Sequence, residues 1–289
     1  MVPGFTGAAL DRADNLRLDP EAIAAMEARA DALMLDLALL DPVLDAADQL
    51  RWSPMPRDAD AIFLGLRDGA PLFAPLVADA PIGARAWSVF GLLGRMNARD
   101  AAIWAAARSL NEWHSRHPRC AQCGGATAAF RAGWGRKCDG CGAEHFPRVD
   151  PVVIMLAEHA GRVLVGRQHQ YPPRRYSALA GFVEPGESIE EAVARELLEE
   201  AGVAAADIRY VASQPWPFPG SLMIGCFATA ASDTLRLDPT EIEDAFWVDR
   251  EGVEAALDGA PDAPFQAPPR FAMANTLLAR WVVEQGDGK

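Results

Sequence analysis

The stretch GFVEPGESIEEAVARELLEEAGV, residues 181 to 203, decides the fold of the second half of the chain. Its apolar residues recur at helical spacing and fall near a single stripe: Ile189, Val193, Leu197 and Ala201. Ser188 with Glu191 three positions later is the pattern of a capping box, and Gly202 is a typical helix stop. The sequence therefore predicts an amphipathic helix between Ser188 and Gly202, preceded by a turn at Gly181.

Three glutamates crowd one patch of this predicted helix. Glu196, Glu199 and Glu200 stand at positions i, i+3 and i+4, where like charges repel each other. A hard divalent cation with oxygen ligands would turn this repulsion into a binding site, which makes Mg²⁺ or Mn²⁺ the expected occupant. The alternative is a solvated acidic face on a surface helix.

The spacing around these glutamates resembles the signature of the Nudix hydrolase family. The residues that fill its slots are Gly181, Glu187, Arg195, Glu196, Leu197, Glu199, Glu200, Gly202 and Val203. A chance match of this length has a probability on the order of one in a million or less. The resemblance implies an α+β fold, the Nudix α/β/α sandwich with a mixed sheet, and hydrolysis of a nucleoside diphosphate linked to another group.

The resemblance also implies which residues carry the chemistry. The catalytic metal, Mg²⁺ or Mn²⁺, would be held by Glu196, Glu199, Glu200, Glu241 and the backbone carbonyl of Ala180. Arg195 would orient a carboxylate rather than touch the substrate, and Glu187 would brace the turn. Such a metal neutralises phosphate oxygens and lowers the pKa of a bound water. Glu199 and Glu241 are both candidates for the general base.

Length and charge limit the other functions of the chain. With 289 residues it is expected to contain two domains and a small insert. The net charge of −13 argues against a general nucleic-acid coat protein, although it leaves room for a local basic groove. The chain has no run of eighteen apolar residues, and its first residues lack the basic start and apolar centre of a signal peptide. We therefore expect a cytoplasmic protein without membrane association.

Residues 1–96 contain no recognisable catalytic group. Short apolar runs at 33–40, 61–66 and 72–77 predict strands, with a hairpin turn at Asp68 and Gly69. We expect a small β-rich domain over residues 1–96. A connecting helix capped by Asn97 is expected over residues 97–118.

Two Cys-x-x-Cys pairs follow within residues 119–146, where the sequence predicts a zinc ribbon. Cys120 and Cys123 are separated from Cys138 and Cys141 by fourteen residues, and a glycine follows each pair. Two such turns bring four thiolates into a closed tetrahedral shell, so Zn²⁺ held here would be structural. Disulfides are the alternative, which an intracellular chain disfavours. Basic and aromatic residues between the pairs leave nucleic-acid binding open: Arg131, Trp134, Arg136 and Lys137.

Residues 147–289 are expected to form the Nudix hydrolase domain, because the pattern changes after Pro147. Apolar runs predict strands at 152–156, 162–166, 208–213, 222–230 and 245–248. A closing helix is expected over residues 271–283.

The segment SQPWPFPGS, residues 213 to 221, lies between two of these strands. Its three prolines at alternate positions fix the backbone and prevent a helix or a central strand. They would hold Trp216 and Phe218 on a stiff loop, which suits a flat heterocycle such as adenine or nicotinamide. The alternative is a packed proline-rich loop.

This segment, after a zinc ribbon and a Nudix box, resembles the marker of the NADH pyrophosphatase (NudC-like) branch of the family. The resemblance implies a homodimer that cleaves NADH or NAD⁺ at the diphosphate, giving AMP and NMNH or NMN. It implies substrate contacts from Phe146, Gln214, Pro215, Trp216, Pro217, Phe218, Pro219, Gly220, Ser221 and Ala274. Phe146 stands where the branch usually has tyrosine, and Gly133 stands near the place of a substrate-contacting glutamate.

The sequence is compatible with three functions. The first is an NAD(H) diphosphatase that acts on the free dinucleotide. The second uses the same site to remove the NAD cap from the 5′ end of RNA. The third is a zinc-ribbon nucleic-acid-binding or regulatory protein with a vestigial Nudix fold, and the complete set of glutamates argues against it.

Overall fold

The computed structural model describes residues 2–77 and 87–287, and the chain divides into two compact units. The C-terminal unit consists of Met1–Gly4, Asp150–Gln214 and Ser221–Lys289, and the N-terminal unit consists of Phe5–Val149 and Pro215–Gly220. The segments predicted as β-rich domain, connecting helix and zinc ribbon all fall within the N-terminal unit, apart from the first four residues.

The N-terminal unit contains three small sheets, three α-helices and a 3₁₀ helix (Asp14–Leu18) among its described residues. The helices are α1 (Pro20–Glu27), α2 (Trp87–Leu93) and α3 (Ala98–Arg116). The strands are β1 (Leu33–Leu35), β2 (Leu37–Ala38), β3 (Asp41–Pro42), β4 (Trp52–Pro54), β5 (Ala61–Arg67), β6 (Ala70–Pro75), β7 (Thr127–Phe130), β8 (Gly135–Cys138) and β9 (Glu144–His145). Strands β4, β1, β6 and β5 form one sheet in that order, and β7, β8 and β9 form another, while β2 and β3 pair only with each other.

Several elements of this unit follow the sequence prediction. Strands β5 and β6 form the predicted hairpin, with Asp68 and Gly69 both at positive φ in the turn. The helix predicted after Asn97 is confirmed as α3, and the Asn97 side chain accepts a hydrogen bond of 2.9 Å from the Asp100 N–H. The single strand predicted over residues 33–40 is wrong. The chain breaks after Leu35 and turns back at Leu39, whose φ of 59° belongs to the left-handed region rather than to a strand.

The C-terminal unit is built on one mixed sheet flanked by helices. Its strands are β10 (Asp150–His159), β11 (Arg162–Arg167), β12 (Leu179–Phe182), β13 (Ala205–Trp216), β14 (Ser221–Ala230) and β15 (Asp244–Asp249). Its helices are α4 (Ile189–Ala201), α5 (Arg250–Asp258) and α6 (Met273–Asp287). The predicted strands and the closing helix are present, while α5 is an element that the sequence analysis did not predict.

Strand order explains how the segment before α4 is held. The order is β13, β14, β10, β11 and β15, with β10 parallel to β14 and antiparallel to β11. Strand β12 pairs antiparallel with the first part of β10, so that Ala180 lies opposite Ile154 and Gly181 opposite Val153. The turn predicted at Gly181 is therefore wrong: Gly181 is held in the strand by this pairing, and the chain turns only at residues 185–186. Strand β13 runs to Trp216 through Pro215, and it lies at the edge of the sheet, where a residue without an N–H is tolerated.

The two faces of this sheet carry separate cores. Val153 and Met155 lie in one cluster with Val193 and Leu197 of α4. The alternate residues of the same strand, such as Ile154, lie in the other cluster, with residues of α5 and α6. Successive side chains of a strand point to opposite faces, so α4 covers one face while α5 and α6 cover the other. The predicted α/β/α sandwich is confirmed.

None of the helices within residues 2–77 and 87–287 is long and apolar enough to span a membrane. The 19-residue helix α3 carries Arg108, Glu112 and Arg116 along its length.

Candidate active site and metal centres

Helix α4 presents the glutamates from a firmly fixed scaffold. The predicted capping box is present: the Glu191 N–H donates to Ser188 Oγ at 3.2 Å, and the Ser188 N–H donates to Glu191 Oε2 at 2.7 Å. Gly202 ends the helix with a φ of 69°, a conformation that favours glycine. Val193, Leu197 and Ala201 are completely buried. Burial of each large apolar side chain is worth roughly 1.5–3 kcal/mol, so this stripe fixes the rotation of the helix.

The three glutamates differ in exposure because they lie at different angles from the buried stripe. At about 100° per residue, Glu200 lies about 60° from the stripe centre, Glu196 about 100° and Glu199 about 160°. Glu200 and Glu196 are accordingly 2% and 8% exposed, whereas 60% of the Glu199 side chain is exposed. The helix therefore offers two buried carboxylates and one that faces solvent.

Arg195 joins these carboxylates to the turn before the helix. Its Nη1 donates to Glu196 Oε1 and to Glu199 Oε2, both at 2.9 Å. Its Nε and Nη2 donate to the two carboxylate oxygens of Glu187, at 2.6 and 3.0 Å, and Nη2 also donates to the Phe182 carbonyl at 2.9 Å. These contacts raise the pKa of Arg195, with the hydrogen bonds to Glu187 as the largest cause. Arg195 thus contacts three carboxylates, and its role in orienting them stays a prediction.

Glu187 braces the turn, as the sequence predicts. Its carboxylate accepts a hydrogen bond of 2.9 Å from the Glu184 N–H, while its own N–H donates to the Glu184 carbonyl at 3.1 Å. The bond from Arg195, and then that from the Glu184 backbone, lower the pKa of Glu187 to about 2. This carboxylate is therefore committed to the turn and to Arg195.

The Glu200 carboxylate has the most unusual environment of the site. Burial, followed by the charges of Glu196 and Glu241, raises the pKa of Glu200 to about 8, and the Ala180 backbone acts in the opposite direction. Burial also raises the pKa of Glu196, although Arg195 opposes the shift. Glu200 Oε2 is buried and has no hydrogen-bond partner among the described residues. A buried oxygen without a partner costs free energy that a bound cation would recover.

The loop that carries Glu241 is tied to the end of α4. The Asp238 N–H donates to the Glu200 carbonyl at 3.0 Å. Asp238 then closes its own turn by accepting from the N–H and the hydroxyl of Thr240, at 2.8 and 2.7 Å. Glu241 is exposed, and its charge contributes to the raised pKa values of Glu196 and Glu200. The chain thus supplies hard oxygen donors from α4 and from this loop, a donor set that suits Mg²⁺ or Mn²⁺.

The four cysteines gather as the zinc-ribbon pattern predicts. Among the residues that the structure describes, they are the one group of three or more candidate ligands whose atoms all lie within 4.8 Å of one another. Cys120 Sγ lies 3.7 Å from Cys141 Sγ, and Cys123 Sγ lies 3.5 Å from Cys138 Sγ. Zn–S bonds of about 2.3 Å place tetrahedral sulfurs about 3.8 Å apart. All four thiols are unbridged, so the arrangement fits Zn²⁺ and not the disulfide alternative.

Backbone groups prepare these thiols for a metal. Gly124 and Gly142 each have a φ of 74°, and their N–H groups donate to the carbonyls of Cys120 and Cys138. Hydrogen bonds led by the Cys141 backbone lower the pKa of Cys138 to about 6. At Cys123 a backbone bond from Gly125 is outweighed by the other three cysteines, which raise its pKa to about 12. Cys138 therefore loses its proton before Cys123 does, because each thiolate makes ionisation of a neighbouring thiol harder. A bound metal would allow all four thiols to ionise.

His145 is a residue beside this cluster that the sequence analysis did not assign to it. Its Nε2 lies 3.2 Å from Cys120 Sγ. The sequence feature that could have indicated this contact is the position of His145, four residues after Cys141 at the end of the ribbon. A ring nitrogen at this distance can donate to a metal-bound thiolate and fix its direction.

The segment from 213 to 221 forms part of an aromatic cluster. Pro215–Gly220 groups with the N-terminal unit, where the Trp216 ring lies 5.7 Å from Phe5 and 6.3 Å from Phe90, measured between centroids. Phe218 is only 4% exposed, and the Arg108 side chain donates to the Pro217 carbonyl at 3.0 Å. The two aromatic rings of this segment pack within the N-terminal unit. Their role as substrate contacts stays a prediction.

The other predicted substrate contacts lie in different surroundings. Gln214 is buried, and its Nε2 donates to the carbonyls of Gly4 and Phe271 at 3.0 and 2.7 Å. Ser221 and Ala274 are buried as well, with 8% and 2% exposure. Phe146 is exposed, with its ring 6.0 Å from that of Phe130. Phe182, which the sequence analysis did not single out, presents an exposed ring one residue after Gly181.

Comparison with known proteins agrees with this architecture. The family described as "NUDIX domain" matches residues 147–267, and the "NADH pyrophosphatase zinc ribbon domain" matches residues 115–146.

Two relatives illustrate the similarity over the chain. The NAD-capped RNA hydrolase NudC of Mycobacterium bovis is 38% identical over 299 residues, covering 97% of this chain and 95% of that protein. The NAD-capped RNA hydrolase NUDT12 of Homo sapiens is 44% identical over 198 residues, covering 65% of this chain. The matched region spans 43% of the human protein's length. The chain therefore belongs to the NADH pyrophosphatase (NudC-like) branch of the Nudix hydrolase family.

Proposed function

We propose that this protein hydrolyses the diphosphate bond of NADH or NAD⁺ with Mg²⁺ or Mn²⁺, giving AMP and NMNH or NMN. The observation that carries the proposal is the carboxylate set of α4. Glu196 and Glu200 are buried, Glu199 faces solvent, and Arg195 bridges Glu196 and Glu199. A buried Glu200 oxygen without a partner among the described residues has no evident structural purpose, whereas it suits a cation.

The residues divide the chemistry among them. When bound, the divalent metal supplies neutralisation of the phosphate oxygens and a water of lowered pKa. Glu196, Glu199, Glu200, Glu241 and the Ala180 carbonyl would be the residues that hold it. Arg195 positions the Glu196 and Glu199 carboxylates. Glu199 and Glu241 are the candidates for accepting the proton of the attacking water, and both are exposed.

Substrate contacts belong to the same proposal. The residues that the resemblance implies as substrate contacts are proposed to contact the nucleotide: Phe146, Gln214, Pro215, Trp216, Pro217, Phe218, Pro219, Gly220, Ser221 and Ala274. Support comes from the three prolines of the segment, because proline restricts the backbone and a preorganised loop loses little entropy when a ligand binds. Trp216 is only partly buried.

Removal of the NAD cap from RNA is the second candidate function. The observation that favours it is the name "NAD-capped RNA hydrolase", which both relatives carry at 38% and 44% identity. The bond that is cleaved is the same, so the same carboxylates serve both reactions. The two functions can coexist in one enzyme.

A homodimer and a cytoplasmic location complete the proposal. Unbridged cysteines favour a reducing compartment. The dimer rests on resemblance to the family, and light scattering of the purified protein tests it: a mass near that of one chain would contradict it.

Rates on several substrates test the choice between these functions. NADH, NAD⁺, ADP-ribose and a 5′-NAD-capped RNA are each incubated with Mg²⁺ or Mn²⁺, and products are separated by chromatography. The Glu241→Gln variant tests whether Glu241 is the general base. Glu243→Gln is the control, because Glu243 is a nearby exposed glutamate whose carboxylate pairs with Arg167. Faster cleavage of the free dinucleotides favours the first function, and faster cleavage of the capped RNA favours the second. If the zinc-loaded protein cleaves none of these substrates, the third function remains, that of a nucleic-acid-binding or regulatory protein with a vestigial Nudix fold.

A further inference from the structure

A pocket of about 410 Å³ opens in the C-terminal unit, outside the carboxylate set. Arg174, Arg175 and Arg270 line it, together with the apolar side chains of Leu257 and Phe265. Its volume lies within the range of about 300–1,000 Å³ that is typical of small-molecule sites. Its walls combine positive charge with apolar surface.

In the part of the chain that the structure describes, the three arginines of this pocket lack the carboxylate partners that neighbouring arginines have. Among the described residues, no ion pair joins Arg174, Arg175 or Arg270 to a carboxylate. By contrast, Arg162 and Arg167 of the same unit pair with Asp233 and Glu243 at 2.9 and 2.8 Å. In a chain with a net charge of −13, three such guanidinium groups around one pocket form a local anion-attracting site.

One of these guanidinium groups has an unsatisfied buried donor. Arg175 Nε is shielded from solvent and has no hydrogen-bond partner among the described residues. A buried N–H without an acceptor costs free energy, and a phosphate oxygen would satisfy it. Guanidinium groups match phosphate geometry because they donate two parallel hydrogen bonds.

The backbone around the pocket is held in place. The Gln266 N–H donates to the Arg174 carbonyl at 2.7 Å, and the Tyr176 N–H donates to the Gln266 carbonyl at 3.4 Å. Arg174 has a φ of 65°, which is unusual for a residue with a side chain. Its Nη2 donates to the Ala263 carbonyl at 2.6 Å. Arg174 therefore ties the two loops that form the pocket wall, leaving Arg175 and Arg270 as the main groups for a ligand.

The pocket belongs to a different layer of the fold from the glutamates. Phe265 and Ala256, which line it, lie in the core cluster of α5 and α6. Glu196 and Glu200 are carried by α4, which packs in the cluster on the other face of the sheet. The arginine residues are thus not part of the carboxylate set described above.

We propose that this arginine pocket binds the phosphate group of a nucleotide unit, with Arg175 and Arg270 contacting the phosphate oxygens and the apolar wall contacting the nucleoside. The unit is either a free mononucleotide or one phosphodiester-linked nucleotide of an RNA. Binding at this pocket does not require the proposed hydrolysis.

Calorimetry with AMP tests the proposal in the presence of EDTA, so that divalent metal does not contribute. AMP should bind, and adenosine should bind at least about tenfold more weakly because it lacks the phosphate. Arg175→Gln and Arg270→Gln should each weaken AMP binding by about tenfold, since each removes a charge-assisted hydrogen-bonding group. Arg270 is exposed, so its variant is expected to fold normally.

Arg162→Gln is the matched control, because it removes one positive charge from the same unit outside the pocket. Equal AMP affinity in the wild type and in both pocket variants would overturn the proposal. NADH hydrolysis by the same variants is measured separately. If each variant loses hydrolysis to the same extent as AMP binding, the pocket is part of the catalytic site, and this result would also overturn the proposal. Because AMP binding is measured directly, the test stands even if the wild type hydrolyses no dinucleotide.

An uncapped RNA oligonucleotide with a 5′-hydroxyl distinguishes the two sources of the phosphate. Displacement of AMP by this RNA, lost in Arg270→Gln, would assign the pocket to RNA. AMP binding that the RNA does not displace would assign it to a free mononucleotide.

Discussion

The Glu196 carboxylate occupies the space in which residue 181 would carry a side chain. A Cβ atom on Gly181 would lie 1.9 Å from Glu196 Cδ and 1.9 Å from Oε1, far inside van der Waals contact. Gly181, a residue of strand β12, therefore sets the position of a glutamate fifteen residues later in the chain. This contact gives a physical reason for a glycine before α4.

Gly181→Ala should impair activity more than folding. The added methyl displaces the flexible end of Glu196, and a misplacement of about 1 Å in a catalytic group can cost on the order of 10²-fold in rate. Stability should fall by about 1–3 kcal/mol, as for an overpacked site. Steady-state kinetics with NADH and thermal unfolding measure the two effects. Gly91→Ala is the control, since a Cβ there meets no atom within 4 Å; equal activity of the two variants would contradict the account.

Arg195→Lys should lower kcat by about 10- to 100-fold, as expected for a residue that orients metal ligands. Lysine keeps the charge, but all its donors lie on one nitrogen, which cannot contact Glu187, Glu196 and Glu199 together as the spread nitrogens of Arg195 do. The apparent affinity for the divalent metal should fall as well, while KM for NADH changes little. Arg162→Lys, which alters an exposed pair with Asp233, should leave both unchanged. A rise in KM with constant kcat would instead assign Arg195 to substrate binding.

The raised pKa of Glu200 predicts how stability depends on pH. Its value in the folded protein, about 8, lies above the ordinary 4.5. Between these values the folded protein binds more protons than the unfolded protein, so metal-free stability should fall as pH rises through this window. Mn²⁺ displaces the proton, and its stabilising effect should therefore grow between about pH 6 and about pH 8.

Thermal unfolding in EDTA and in Mn²⁺ measures this dependence. Glu200→Gln removes the titrating carboxyl, so it should reduce the slope in EDTA and abolish most of the Mn²⁺ effect. Glu190→Gln, at an exposed position in the first turn of the same helix, is the control. A slope in EDTA that Glu200→Gln leaves intact would contradict the assignment.

Zinc analysis tests the cysteine cluster. The purified protein should contain about one zinc per chain, as a tetrahedral four-thiolate site requires. Cys138→Ser should lose the metal and raise hydrogen exchange throughout residues 115–146, because so short a segment has little core of its own. Cys226→Ala removes a buried cysteine outside the cluster and should keep the zinc. A wild-type protein without zinc would contradict the metal centre.

Local sequence signals were sufficient for the elements that carry the carboxylates. The capping box, the apolar stripe and the terminal glycine of α4 all lie within residues 188–202, and each is present. The order of burial among Glu200, Glu196 and Glu199 follows from their helical angles alone. Helix α5 was missed although its cap, Asp249, and its stop, Gly259, are also local signals.

Contacts between distant residues could not be predicted in this way. Trp216 and Phe218 pack with Phe5 and Phe90, far earlier in the chain, and no periodicity connects these positions. The hydrogen bond from Arg195 to the Phe182 carbonyl depends on how β12 pairs with β10. The arginine pocket arises only when residues 174–175 meet residues 256–275 in the fold.

The carboxylate set of α4 is expected to cleave the diphosphate of a dinucleotide. The most direct measurement is chromatographic identification of the products formed from NADH with Mg²⁺ or Mn²⁺, by the wild type and by Glu199→Gln. The wild type should give equal amounts of NMNH and AMP, and the variant should give far less of both. NADH left intact by a zinc-loaded wild-type protein, or cleaved equally well by Glu199→Gln, would contradict this expectation.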